Sequence, residues 1–263
     1  MKVLQLSARK GRRRSKGNKE MHPFQTIIYE KYDNIAYITL NRPEVLNVYN
    51  LRMRDELYQI LGAIGDDGEV QVTILKGAGE KAFCAGADLS EFLTAPSPII
   101  ARELRWKRDV WGLFLSLPQP VIAALHGYVL GSGFEMALCC DLRIAAEDAK
   151  FGLPETGLGI IPAAGATQTL PRTVGRARAK EMLLTRRWIE AKEAYAIGLV
   201  NRVVSGAQLL AEAEEIARKI VCYRQTAVRY AKQAVVRGLD LSLVEGLDLE
   251  RRLVDLIFST RTL

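Results

Sequence analysis

Two glutamates stand out for the company they keep. Glu135 follows Gly131-Ser132-Gly133 at the start of an apolar stretch, Phe134 to Cys140, within the segment Pro120 to Asp141. A β-branched run, Val121 to Leu125, precedes it, so the order reads strand, tight turn, helix. A helix entered through glycines presents unpaired backbone N–H groups and the positive end of its dipole, which suits an oxygen gaining negative charge. Glu135 then stands in the first helical turn beside that oxygen. A lone glutamate there also serves the dipole without any chemistry, so the choice between the two readings rests on the rest of the chain. Glu155 follows Pro154 in a glycine-rich, mostly apolar segment, Lys150 to Pro162. Such surroundings disfavour a carboxylate's charged form, raise its pKa and suit proton transfer near neutral pH; a loop carboxylate or helix cap is the plainer alternative. Two carboxylates of this kind can divide the work of activating water and delivering a proton.

A second loop of small residues, Ala85-Gly86-Ala87-Asp88-Leu89, follows Lys76-Gly77-Ala78-Gly79 and Ala82-Phe83-Cys84. Where this loop meets the Gly131 loop, one N–H from each can grip a single carbonyl oxygen, the arrangement that stabilises an enolate or a tetrahedral oxyanion. Ala87 and Ser132 are the expected donors, through their amides alone. Other chemistries find no support. Leu130-Gly131-Ser132-Gly133-Phe134 fails the GxSxG nucleophile elbow at both flanks, GxxxxGK[ST] is absent, and Gly157-Leu158-Gly159 meets Pro162 where a dinucleotide fingerprint needs its third glycine. His126 follows a strand end and is read as structural. Cys84, Cys139, Cys140 and Cys222 show no CxxC spacing, and His22 and His126 are the only histidines, so neither structural zinc nor a disulfide framework is expected.

These residues need a scaffold. Ile27 to Glu30 and Ile35 to Leu40 read as a hairpin about Asp33-Asn34, Asn50 to Ile64 as a helix stopped by Gly65 to Gly68, and Val70 to Leu75 and Leu142 to Ala145 as buried strands. Beyond Ala177 helices are expected at Ala177 to Thr185, Ala191 to Ile197, Gln208 to Val221, Thr226 to Arg237 and Leu241 to Leu256. The pattern predicts an α/β domain with a covered sheet. At 263 residues and 49% hydrophobic, the chain supports one large core. The expected division is a basic tail over 1–22, an α/β core over 23–200 and a helical region over 201–263. The formal charge of +7 lies wholly in residues 1–20, where eight basic side chains face Glu20 alone. Such an arm is read as solvated and disordered, with RNA, an anionic surface or organelle import as lesser readings. The absence of an apolar run near the ~18 residues of a membrane span, and of a signal-peptide core, leads to the expectation of a soluble, cytoplasmic protein without membrane partners.

In this order the phrases resemble the crotonase superfamily of enoyl-CoA hydratases and isomerases. The matching stretches are Leu40-Asn41-Arg42-Pro43 with Leu46-Asn47, Ala82 to Leu89, Pro120 to Asp141, Phe151 to Glu155, Ile161-Pro162 through Gly165 to Arg172, and Ala194 to Val200. The resemblance implies an α/β spiral core of repeated ββα units, a C-terminal helical trimerisation region, and a homotrimer or dimer of trimers. It implies an acyl-CoA thioester substrate, with no metal and no cofactor beyond the coenzyme A carried by the substrate. Ala87 and Ser132 match the family's two oxyanion amides and Glu135 and Glu155 its two glutamates. Val45, Leu46, Ala85, Gly86, Asp88, Leu89 and Gly131 fall at positions that meet substrate or CoA. Syn hydration of a 2-enoyl-CoA follows, with Glu135 assisting attack at the β-carbon and Glu155 handling the α-proton. A Δ3,Δ2-enoyl-CoA isomerase, an RNA-binding homologue using the basic tail, and a catalytically silent subunit are the alternatives. The chain departs from the family at Ser132, at Ala163-Ala164-Gly165-Ala166 where glycines are common, and at Glu44 and Ser90 where lysines often meet CoA. The segment Glu91 to Trp111, with Pro96, Pro98, Trp106 and Trp111, is expected to act as a lid suited to a cyclic or branched acyl group. The stop at Leu263, before a Lys- and Arg-rich helix of the family, leads to the expectation of a weaker nucleotide grip.

Overall fold

Asp33 and Asn34 both adopt left-handed backbone, φ 50 and 66, a turn that Asp and Asn tolerate and that matches the twist of paired strands. They join β1 (Ile27–Tyr32) antiparallel to β2 (Ile35–Leu40). In the computed structural model, residues 24–91 and 107–259 are described; the basic tail and most of the lid segment, including Pro96, Pro98 and Trp106, lie outside them. Helix α1 (Leu51–Asp66) starts where Asn50 accepts the Met53 amide at 2.8 Å and buries the stripe Met53, Leu57, Ile60, Leu61 and Ile64. It ends at Asp66, with Asp67 as its C-cap, inside the expected Gly65 to Gly68 stop.

Three strand pairs then repeat: β3 (Val72–Gly77) with β4 (Ala82–Cys84), β5 (Val121–Leu125) with β6 (Tyr128–Leu130), and β7 (Leu142–Ala146) with β8 (Lys150–Gly152). Helices follow β6 and β8, after α2 (Val110–Ser116): α3 (Ser132–Cys139) and α4 (Ala166–Val174). The chain continues through α5 (Arg176–Thr185), β9 (Ile189–Glu190), α6 (Ala191–Ala196) and β10 (Arg202–Val204). The first strand of each pair joins a six-stranded sheet, β1-β2-β3-β5-β7-β10, parallel from β2 onward. The second joins a four-stranded sheet, β4-β6-β8-β9, whose first three members are parallel. The result is the spiral of ββα turns, with two sheets where the residue pattern suggested one.

The segment expected to pass from strand directly to helix contains β6 as well. Gly127, at φ +53, makes the turn between the sheets; a Cβ there would lie 2.0 Å from the Lys81 carbonyl oxygen. A three-residue strand carries too few positions for periodicity to reveal it. The unforeseen α4 has a different explanation: its nine residues contain Pro171 and a polar run, Thr167-Gln168-Thr169.

Alternate residues of the large sheet feed two cores, as strand geometry requires. Ala36, Ile38, Leu40, Leu75, Val121, Ala123 and Leu125 pack on one side with α1, α2 and α3. Ile35, Val72, Ile74, Ile122, Ala124 and Ile144 pack on the other against Leu209, Ala213 and Ala217 of α7 (Leu209–Val221). Both faces are covered, which suits a largely parallel sheet. Helix α8 (Gln225–Gly238) is tied to the body by Lys232 Nζ, bonded to Asp141 at 2.7 Å and to the Gln119 carbonyl at 2.9 Å. Helix α9 (Leu243–Ser259) packs along α8, burying Leu253 and leaving Leu243, Val244, Leu247, Leu256 and Phe258 exposed.

Candidate active site

Strands β4, β6 and β8 lie side by side and parallel, with Cys84 opposite Val129 and Leu130 opposite Gly152. Their carboxyl ends are therefore level. Ala85–Leu89, Gly131-Ser132 and Leu153–Glu155 leave one edge of the small sheet together, and the carboxyl edge of parallel strands is where α/β folds place ligands. The pairing unites the two loops and two glutamates that the sequence singled out separately.

The first loop is held by a strap, residues 42–49. Tyr49 donates its amide to the Gly86 carbonyl and accepts the Asp88 amide, both at 2.8 Å, forming a parallel bridge with Ala87. In such a bridge the residue opposite Tyr49 turns its own N–H and C=O away. The Ala87 amide thus points away from the strap. Ala85 donates to the Leu46 carbonyl at 3.0 Å. Asn47, fully buried, donates to the carbonyls of Ala78 and Ala82 at 2.8 Å and accepts the Arg42 amide at 2.9 Å. Arg42 Nη1 donates to Asp88 at 3.0 Å and to the Val48 carbonyl at 2.8 Å. The residue pattern alone gave this strap no role, and its phrases, Asn41-Arg42-Pro43 and Leu46-Asn47, entered only through the family resemblance; Leu46 and Asn47 both adopt left-handed backbone, φ 58 and 55.

The second loop touches the first. A Cβ on Gly131 would lie 3.5 Å from the Gly86 Cα, and one on Gly86 would lie 3.5 Å from the Leu130 carbonyl oxygen. Gly131, at φ 49, precedes α3, so Ser132 is the first helical residue and its N–H has no intrahelical acceptor. No hydrogen bond from the Ala87 or Ser132 amide is found among the described residues.

The glutamates meet opposite environments. Glu135, 2% exposed, presents Oε1 to the amides of Ala164 at 2.8 Å and Ala166 at 3.1 Å, at the entrance to α4. Two N–H donors and a helix N-terminus stabilise negative charge there. Glu155 opens a 3-10 turn, Glu155–Leu158, and its Oε1 lies 2.9 Å from where a Gly131 Cβ would stand. Its Oε2 is buried with no hydrogen-bond partner. Burial pushes the Glu155 pKa up from 4.5, its own backbone amide opposes this, and the Glu135 charge adds to the rise.

The remaining expected site residues are placed as follows. Val45 and Leu89 are exposed at 40% and 56%. Asp88 is engaged by the Ser90 hydroxyl at 2.6 Å and by Arg42, which together hold its pKa down. His126 accepts the Phe83 amide through its carbonyl, and burial lowers the pKa of its ring. Trp111, at the end of the segment expected to act as a lid, packs on Tyr49 with ring centroids 5.5 Å apart. Among the described residues no group of three or more His, Cys, Asp or Glu could hold a metal, and no helix is long and apolar enough to cross a membrane.

A two-sheet ββα spiral with paired glutamates at the strand ends defines a crotonase-type enzyme, and comparison with known proteins agrees. The profile of the enoyl-CoA hydratase/isomerase family matches residues 30–263. The crotonyl-CoA hydratase of Syntrophomonas wolfei is 42% identical over 90% of this chain and 92% of its own length. The short-chain-enoyl-CoA hydratase of Clostridium acetobutylicum is 43% identical over 89% and 90%. The crystal structure of an enoyl-CoA hydratase from Bacillus anthracis superposes with a TM-score of 0.84 at 44% identity, covering 88% of this chain and 90% of that one. The chain belongs to the enoyl-CoA hydratase/isomerase family.

Proposed function

We propose that the protein hydrates the 2,3 double bond of an enoyl-CoA thioester, and that Ala87, Ser132, Glu135 and Glu155 carry the reaction. The observation that supports it most is the Glu155 carboxylate packed on Gly131, with a buried, unpartnered oxygen, beside the peptide that supplies the Ser132 amide. The thioester oxygen is received by the Ala87 and Ser132 amides. Glu135 takes a proton from water as its oxygen bonds to the β-carbon, and the electron pair of the double bond moves through the α-carbon onto the thioester oxygen. The resulting enolate is stabilised by the two N–H groups. As it collapses, neutral Glu155 delivers a proton to the α-carbon; Glu135 then releases the proton it took from water and Glu155 takes one up, so both carboxyls return to their starting states with no net gain or loss of protons. The division follows from environment: Glu135 is stabilised as an anion, whereas Glu155 is disposed to hold a proton.

The names of the relatives support a short linear chain such as crotonyl-CoA as the first substrate to try. Val45, Leu46, Ala85, Gly86, Asp88, Leu89 and Gly131 are proposed to line the path of CoA, with Asp88 acting through Arg42. The exposed apolar side chains of α8 and α9, among them Val235, Val236, Leu243, Leu247 and Phe258, support assembly into trimers or a dimer of trimers. The four free thiols support a cytoplasmic location.

The test is incubation with crotonyl-CoA, following loss of the conjugated-enoyl absorbance and the product mass. A gain of one water is expected, with Glu135→Gln and Glu155→Gln each losing most of the rate. Conversion of a 3-enoyl-CoA with no water gained on crotonyl-CoA would instead make the enzyme an isomerase.

A further inference from the structure

The oxyanion amide of Ala87 shares its peptide unit with the Gly86 carbonyl, so whatever binds that carbonyl acts on the donor. The carbonyl accepts the Tyr49 amide at 2.8 Å, and the thiol of Cys84 donates to it with Sγ 3.7 Å away. Donors on a peptide oxygen draw electron density toward it, leave the N–H at the other end more positive and fix the peptide plane. The second donor peptide is built alike, since the Gly131 carbonyl, joined to the Ser132 N–H, accepts the Glu135 amide at 2.9 Å.

Cys84 also touches the second loop. A Cβ on Gly133 would fall 2.2 Å from the Cys84 carbonyl oxygen and 2.7 Å from its Cβ, so the first turn of α3 rests directly on this residue. The side chain is fully buried, and burial pushes its thiol up to about 11, so at physiological pH the group remains S–H and keeps donating. An inert buried thiol of this kind is unsuited to nucleophilic or redox work.

We infer that Cys84 is a positioning residue of the oxyanion hole: it donates to the carbonyl of the peptide that carries the Ala87 amide, and it spaces that loop from the helix that carries the Ser132 amide. The inference rests on the hydratase reading of the same site. A whole oxyanion donor is worth about 10²–10³ in kcat, and a group acting through a neighbouring peptide contributes a small part of that.

The test compares Cys84→Ala with Cys84→Ser, which are close in volume but differ in the donor. Two readouts are needed: kcat and KM on crotonyl-CoA, and the thioester C=O stretch of bound butanoyl-CoA by isotope-edited infrared difference. Cys84→Ala is expected to lower kcat roughly three- to tenfold with KM nearly unchanged, and to shrink the downshift of the bound carbonyl. Cys84→Ser is expected to lie between alanine and wild type in both. Should Cys84→Ala fail to fold, the isosteric pair Cys84→Thr and Cys84→Val asks the same question, with threonine expected above valine. The inference is overturned if the donor-bearing variant is no better than its partner in kcat and carbonyl shift, or if Cys84→Ala matches wild type. If wild-type enzyme itself neither hydrates crotonyl-CoA nor shifts the butanoyl carbonyl, the hydratase reading fails instead.

Discussion

Glu135 and Glu155 reach one site from two strand ends, and each is bonded in a way the other is not. Glu135 Oε1 receives two amides at 2.8 and 3.1 Å, while Glu155 Oε2 is buried without a partner and feels the charge of Glu135. One environment offers hydrogen bonds to the charged carboxylate; the other disfavours the charge.

This coupling gives a direction for pH dependence. Replacing Glu135 with glutamine removes a negative charge that raises the Glu155 pKa, so the pKa of Glu155 moves down toward 4.5, while burial keeps it above. Titration of a ¹³C-labelled Glu155 carboxyl in wild-type and Glu135→Gln protein measures the shift. An unchanged or higher midpoint in the variant would show that the two groups do not interact.

Glu155→Gln should lose about 10²–10⁴ in kcat, the usual worth of a general acid, yet make the folded chain more stable at neutral pH. The folded-state pKa of Glu155 is raised, so the folded protein binds this proton more tightly than the unfolded chain does. The stability gained from that protonation is fully present below 4.5 and is lost as pH rises through the folded-state value. Glutamine carries no such loss. Thermal unfolding from pH 4 to 8 should show the variant's advantage growing with pH, and parallel curves would contradict the account.

Gly131→Ala tests the contact that joins the loops to the acid. At φ 49 and ψ −125, outside the left-handed helical well, alanine takes on strain of about 1–3 kcal/mol, and its Cβ would stand 2.9 Å from Glu155 Oε1. Gly198, at φ +76 with no atom within 4 Å of an added Cβ, is the control for strain alone. Both alanine variants should lose stability in urea, Gly131→Ala at least as much as Gly198→Ala, whereas only Gly131→Ala should lose turnover. Equal turnover in the two would remove Gly131 from the site.

How much of this was legible beforehand depended on what each residue's neighbours in sequence could reveal. Helices with an apolar stripe, such as α1 and α7, and six-residue strands such as β2 announce themselves through periodicity. Both glutamates and both small-residue loops were visible because their local chemistry is unusual. The second sheet was hidden, since β4, β6 and β8 have three residues each and are defined by pairing across the chain. The amides of Ala164 and Ala166 that hold Glu135 were hidden for a related reason: a backbone donor leaves no mark on residue type. The resemblance to a family supplied the order in which the visible pieces meet, and the strand register supplies the physical reason.

Asn47 extends that lesson to a residue whose work is entirely at a distance in sequence. Its side chain bonds to the backbone of Arg42, Ala78 and Ala82, and it is fully buried. Asn47→Ala would strip two buried carbonyls and one amide of their partner, at a cost of about 2–4 kcal/mol. The strap that presents Gly86, Ala87 and Asp88 would lose its staple to β4, so kcat should fall together with the urea midpoint. Asn47→Asp separates the two effects: Oδ1 can still accept the Arg42 amide, but the second oxygen would face the carbonyls of Ala78 and Ala82 with no proton to donate. The aspartate variant is therefore expected to be at least as unstable as the alanine one near neutral pH and to recover partly as pH falls and the carboxyl gains a proton. An aspartate variant with wild-type stability at pH 7 would show that the two carbonyl bonds are not what holds the strap to the loop.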